Sequence, residues 1–168
     1  MKGIKGLNWY LHVRTWCDLV SEEYNLPVYK VVGILSALSP RNKFQRNLDD
    51  TINLIEHGLN AKYGTFHGNR DKAIRILNAE NIGQVVREFK NARKTYSFFF
   101  NIYRVYCNKA TIDVHMIRFY KKHITTKSLT DKTYTKIENM MRIEANKLNI
   151  HVNQLQAIRW YEQRGELY

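Results

Sequence analysis

Two residues of this 168-residue chain have types and spacing that suggest chemistry, Lys94 and Asp113. Lys94 stands in Arg93-Lys94-Thr95, at the start of one helical pattern. Asp113 stands in Thr111-Ile112-Asp113-Val114-His115-Met116-Ile117-Arg118, at the start of the next, 19 positions later. An amine and a carboxylate at two successive helix starts can converge on one sugar carbon. A carboxylate beside that carbon stabilises the positive charge that builds as an N-glycosidic bond breaks. An amine kept uncharged by burial or by neighbouring cations attacks the same carbon, forms a Schiff base and permits strand cleavage. Each residue also has a plain reading: Asp113 as a helix N-cap, and Lys94 as one of many surface lysines that touch phosphate.

The elements that must position them read as helices throughout. Trp9, Val13, Trp16 and Val20 make an apolar stripe at helical spacing, and Pro27 sits in the turn that follows. Val31, Val32, Leu35 and Leu38 mark a second helix, which Ser39-Pro40 ends. Phe44, Leu48, Thr51 and Ile55 form the inner face of a third, closed by Gly58. Leu59 to Arg70 reads as a loop, and short helices follow near 71–78 and 82–89. A longer helix over 93–106 turns Tyr96, Phe99, Phe100 and Tyr103 inward, and Asp113 caps a helix over 114–122. After Lys127-Ser128-Leu129-Thr130, helices near 131–148 and 152–164 present Tyr134, Ile137, Met141 and Leu148, then Val152, Leu155, Ile158 and Tyr161, to the core. No strand pattern competes. The expectation is an all-α, single-domain bundle of about nine helices.

Charge narrows the partners. Lys and Arg total 27 against 15 Asp and Glu, a net charge of +12 with a pI near 9.7, which favours a polyanion. The cations are spread along the chain, as at Lys43, Arg46, Arg70, Lys72, Lys90, Arg93, Lys94, Lys121 and Lys122, so a folded basic face is expected in place of a disordered arm. Cys17 and Cys107 are too few for an iron–sulfur cluster and lack zinc-ligand spacing, and the six His residues form no paired motif. No metal and no cofactor are therefore expected. With no signal peptide and no apolar stretch of membrane length, the expected setting is intracellular, away from any membrane.

Several landmarks occur in the order of the helix-hairpin-helix DNA glycosylase superfamily, in its endonuclease III-like branch. Leu35-Ser36-Ala37 resembles the family's Leu-Ser-Ala-Gln segment. Gly64-Thr65-Phe66-His67-Gly68-Asn69-Arg70-Asp71-Lys72-Ala73 resembles its Gly-aromatic-Lys-Ala turn. Ile112-Asp113-Val114-His115 resembles its Val-Asp-Thr-His segment after a Lys-bearing hairpin. The similarity spans roughly 28–122; the final helices lie beyond it. The resemblance implies Asp113 and Lys94 as catalytic residues acting on a base flipped from duplex DNA. It departs from the pattern at Glu88–Arg93, which has no glycine and leaves Asn91 to adopt the left-handed turn. It departs again at Leu38, where the family carries a Gln. Lys43, Arg70, Lys72, Lys90, Asn91, Arg93 and Arg118 are the candidate DNA contacts. Leu38, Ser39, Tyr96 and His115 are the candidates for the base pocket or wedge.

Two function classes follow. One is a DNA glycosylase with or without lyase activity, or a related enzyme that modifies a flipped base. The other is a catalytically silent binder on the same fold, which masks damaged or modified DNA or engages a host repair protein; in either class the expected partner is double-stranded DNA. The compact chain, rich in Lys, Asn and Tyr, suits a bacteriophage.

Overall fold

The computed structural model describes residues 5–62, 66–123 and 129–165, with the His123 side chain left aside. Gly64 and Thr65 of the turn motif, and Lys127 and Ser128, lie outside the described residues. Among the described residues the chain is wholly helical: α1 (Trp9–Glu23), α2 (Val28–Leu38), α3 (Phe44–His57), α4 (His67–Leu77), α5 (Ile82–Arg87), α6 (Arg93–Tyr103), α7 (Val114–Phe119), α8 (Asp131–Lys147) and α9 (Val152–Arg164), with short 3₁₀ turns at Gly58–Asn60 and Lys121–His123. It falls into two compact units. A central unit comprises Val13–Phe99, and a terminal unit comprises Met1–His12 with Phe100–Leu167.

The central unit is organised by α2. Its sequence, Val-Tyr-Lys-Val-Val-Gly-Ile-Leu-Ser-Ala-Leu, is apolar on every side from Val31 onward, and residues 31–38 are all buried. A helix apolar all round must be enclosed, and α3, α4 and α5 pack against it. A Cβ on Gly33 would lie 2.8 Å from both Ile76 Cγ2 of α4 and Val85 Cγ1 of α5, so hydrogen is what lets these helices close on α2. Leu35 O, in the last turn of α2, accepts from Asn47 Nδ2 of α3 at 3.0 Å. Lys30 Nζ donates to Leu77 O at the end of α4 at 2.9 Å, a cation on an orphan helix carbonyl.

Several inner faces differ from the sequence expectation. In α1 the buried stripe is Tyr10, Val13, Cys17 and Val20, with Trp9 and Trp16 half-buried beside it. In α3 it is Asn47, Asp50, Thr51 and Leu54, whereas Phe44, Leu48 and Ile55 are half-buried. Polarity misled there: Asn47 is consumed by the end of α2, Thr51 Oγ1 donates to Asn47 O at 2.7 Å, and Asn42 Nδ2 donates to Asp50 Oδ2 at 2.8 Å. Helix α4 starts at His67, inside the expected loop, because Gly68 falls in its first turn, where glycine costs less than in a helix interior.

The terminal unit has its own core, in which Ile112, Met116, Tyr134, Ile137, Met141, Ala145 and Leu155 are central. It packs α7 and α8 against α9. Leu148, expected inside, is 53% exposed, and Ala145 fills that face of α8. Tyr161 is only half-buried. Helix α6 stops at Tyr103, short of Tyr106, because the chain turns through Val105 at φ +58°. A β-branched residue there is strained, and α9 holds the turn: Asn153 Nδ2 donates to Val105 O, and Cys107 N donates to Asn153 Oδ1 at 3.3 Å. A Cβ on Gly6 would meet Ala157 O at 2.8 Å, so the backbone at Gly6 lies directly on α9.

Candidate functional site

The approach to Asp113 is an irregular segment whose amides are satisfied by distant side chains. Ala110 N donates to Glu138 Oε1 at 3.2 Å and Ile112 N to Tyr134 OH at 3.3 Å, while that hydroxyl donates to Ala110 O at 2.5 Å. Buried backbone without helix or sheet partners needs such acceptors and donors, and α8 supplies them. Beside this segment Tyr10 OH donates to Gln156 Oε1 at 2.5 Å, and Asn101 Nδ2 donates to Thr111 Oγ1 at 3.1 Å. Burial holds the Tyr10 phenol far above its usual ionisation range, against the lowering effect of its bonds with Thr111 and Asn101.

Asp113 is half-buried, and both carboxylate oxygens are engaged. Oδ1 accepts from the backbone amides of His115 at 2.9 Å and Met116 at 3.1 Å, the N-cap pattern expected of this residue. Oδ2 accepts from Trp160 Nε1 of α9 at 3.1 Å. The His115 ring meets Trp160 edge-on at 6.1 Å, and Trp9 lies 6.2 Å from Trp160. Trp160 was absent from the candidates read along the chain. Its partner is 47 positions away, and nothing local marks a tryptophan as the donor to a cap.

Lys94 is exposed in the first turn of α6, and Arg93 beside it is half-buried. Lys94 belongs to the central unit and Asp113 to the terminal one. The α5–α6 connection is a run of tight turns in which the amides of Glu88, Phe89, Lys90 and Ala92 donate to Val85, Val86, Arg87 and Phe89 carbonyls at 2.9–3.3 Å. Those amides are therefore not aimed outward at a phosphate. Asn91 is exposed, and it is not among the four non-glycine residues with positive φ in the described residues, which are Asn25, Arg41, Val105 and Asn149. The left-handed turn expected there is absent because the backbone instead winds in 3₁₀ fashion. Lys90 is exposed. Lys72 is half-buried with Nζ 5.7 Å from the Phe89 ring centroid. Lys43 is exposed, and Arg70 is half-buried and donates to Leu59 O.

Among the wedge candidates, Leu38 has no exposed surface and is a core residue of the central unit. Ser39 Oγ donates to Ser36 O at 2.9 Å, and Tyr96 is half-buried. Arg118 is exposed on α7.

A cationic surface is the second feature. The terminal unit holds fourteen of the 27 Lys and Arg residues against six Asp and Glu. On α8, residues Lys132, Lys136, Asn139, Ile143 and Asn146 form one exposed stripe at spacings of four, three, four and three, flanked by Arg142 and Lys147. The carboxylates of this helix past its first residue are tied down. Glu138 is buried against Arg142 at 3.2 Å, and Glu144 accepts from Tyr120 OH at 2.7 Å and from Arg159. Burial, joined by the bond to Glu144, holds the Tyr120 phenol well above its usual range. Tyr134, Ile137 and Met141, expected inside, are buried, so the outward side of α8 was legible in the spacing.

No group of three or more His, Cys, Asp or Glu among the described residues could hold a metal ion, and no helix is long and apolar enough to cross a membrane. These features define an all-helical protein with a cationic exterior. The chain belongs to a family of unknown function (DUF7178), matched over residues 2–167. No curated protein and no solved structure matches it.

Proposed function

We propose that this protein binds DNA through its cationic helical surface and does not itself break N-glycosidic bonds. The observation that carries the binding half is the exposed stripe of α8, which begins with Lys132 and Lys136 and is flanked by Arg142 and Lys147, with Glu138 and Glu144 tied to arginines. Such a face neutralises phosphates and releases their counterions. The silent half is supported by the engagement of Asp113, whose oxygens serve two amides and one indole, and by the exposure of Lys94 to solvent.

Fluorescence anisotropy with a labelled duplex tests the binding. The logarithm of affinity should fall linearly with the logarithm of salt, and Lys132→Ala with Lys136→Ala should flatten that slope by about two. A slope unchanged by the pair, or no binding at low salt, removes the proposal.

The second reading, a glycosylase with lyase activity, rests on the order of the sequence landmarks around Lys94 and Asp113. It requires that borohydride trap the protein on a duplex with an abasic site through Lys94. It also requires base release from at least one modified or mismatched duplex. A trapped adduct lost in Lys94→Gln would replace the silent reading with this one.

A further inference from the structure

Trp9 and Trp160 lie at the surface of the terminal unit as a half-buried pair, with ring centroids 6.2 Å apart and planes inclined at 59°. Both rings are held in place. Trp160 Nε1 donates to Asp113 Oδ2 at 3.1 Å. Trp9 meets the buried Tyr10 ring edge-on at 4.9 Å. Two exposed cations rest on the same patch: the Arg164 guanidinium 5.1 Å from the Trp160 centroid, and Lys5 Nζ 5.0 Å from that of Tyr161. Core packing explains the inner faces of these rings. It does not by itself call for a guanidinium over the Trp160 ring and an ammonium over that of its neighbour Tyr161.

Oriented aromatic rings flanked by cations are the make-up of a stacking platform for bases, which is tolerant of sequence because every base presents a π-face. We propose that Trp9 and Trp160 form a stacking site for an unpaired nucleobase of a DNA strand, with Lys5 and Arg164 contacting its phosphates. The inference rests on the nucleic-acid reading above and names the form of DNA this patch takes. A paired base is a poorer ligand here, because it must first leave its own stack.

The test uses the full chain and its own fluorescence. Of its three tryptophans, Trp16 lies in the central unit, so Trp16→Phe leaves the proposed pair as the only emitters. Titration of this variant with dT12 should quench the emission, and a twelve-base-pair duplex should quench it far less. Trp9→Ala should weaken dT12 binding by between about fivefold and about 150-fold, the range for losing one stacked base, with the duplex affinity unchanged. Lys5→Glu with Arg164→Glu, which reverses exposed charge at the patch and leaves Trp9 in place, should weaken dT12 binding even if Trp9→Ala compromises folding. Binding of dT12 by anisotropy without quenching, or equal quenching by the duplex, overturns the stacking site and leaves the DNA-binding proposal standing. Absence of salt-dependent binding to either ligand overturns both.

Discussion

The sharpest consequence of the Asp113 geometry concerns its conversion to Asn. By residue type alone the exchange is nearly free, because Asn and Asp are comparable N-caps. The structure says otherwise. Asp113 accepts three hydrogen bonds, two from backbone amides on Oδ1 and one from Trp160 on Oδ2. An Asn offers one accepting oxygen and one donating nitrogen. If its oxygen caps α7, its amide faces the indole N–H, donor against donor; if it flips, the helix amides lose their cap. Either way a half-buried donor is stranded, at a cost of about 1–3 kcal/mol. Trp160→Phe removes the conflicting donor, so in that background the Asn should cost only a few tenths. The loss of charge near the start of α7 is common to both backgrounds and cancels in a double-mutant cycle. Urea unfolding followed by far-ultraviolet circular dichroism should therefore give a coupling of about 1 kcal/mol or more, with unchanged dependence on denaturant. Equal costs in the two backgrounds would show that the indole bond does not constrain the carboxylate. That result would return Asp113 to the role of a plain cap.

Other perturbations test the rest of the description. Gly33→Ala forces a Cβ to within 2.8 Å of Ile76 and Val85 side chains, and should destabilise by about 1–3 kcal/mol; a neutral or stabilised variant would mean that α2 is not so tightly enclosed. Leu38→Gln restores the residue of the glycosylase motif but buries an amide with no partner, at a cost of about 1–3 kcal/mol beyond the lost apolar packing; an undiminished unfolding midpoint would show that position 38 faces solvent. At alkaline pH, the hydrogen bond to Glu56 pushes the Tyr24 phenol up from 10.0 to about 12. Its stabilising contribution is complete below pH 10 and lost as pH rises through about 12. Burial holds Tyr10 and Tyr120 higher still, so absorbance at 295 nm should show these two ionising only as helical dichroism is lost, and early titration of all tyrosines would refute their burial.

What the sequence settles is what depends on near neighbours. The starts of α8 and α9 follow from apolar spacing, the end of α2 from Ser39-Pro40, and the capping role of Asp113 from amides two and three residues on. The all-helical class follows from a 3.6-residue apolar period repeated through most of the chain. Tertiary packing decides what depends on residues far apart. It turned α1 so that Tyr10 and Cys17 are inside while Trp9 and Trp16 are half-buried, and it buried Asn47 and Asp50 of α3 because other segments needed their hydrogen bonds. It ended α6 at a strained Val105 held by Asn153, some 48 positions on. It also enclosed Leu38, which the motif alone would have put beside a base. For Asp113 the division runs through a single side chain. One oxygen answers to the local helix, and the other answers to a tryptophan that only the folded chain brings near. Short-range hydrogen bonds leave a mark in residue spacing, whereas a long-range partner is chosen by how helices pack.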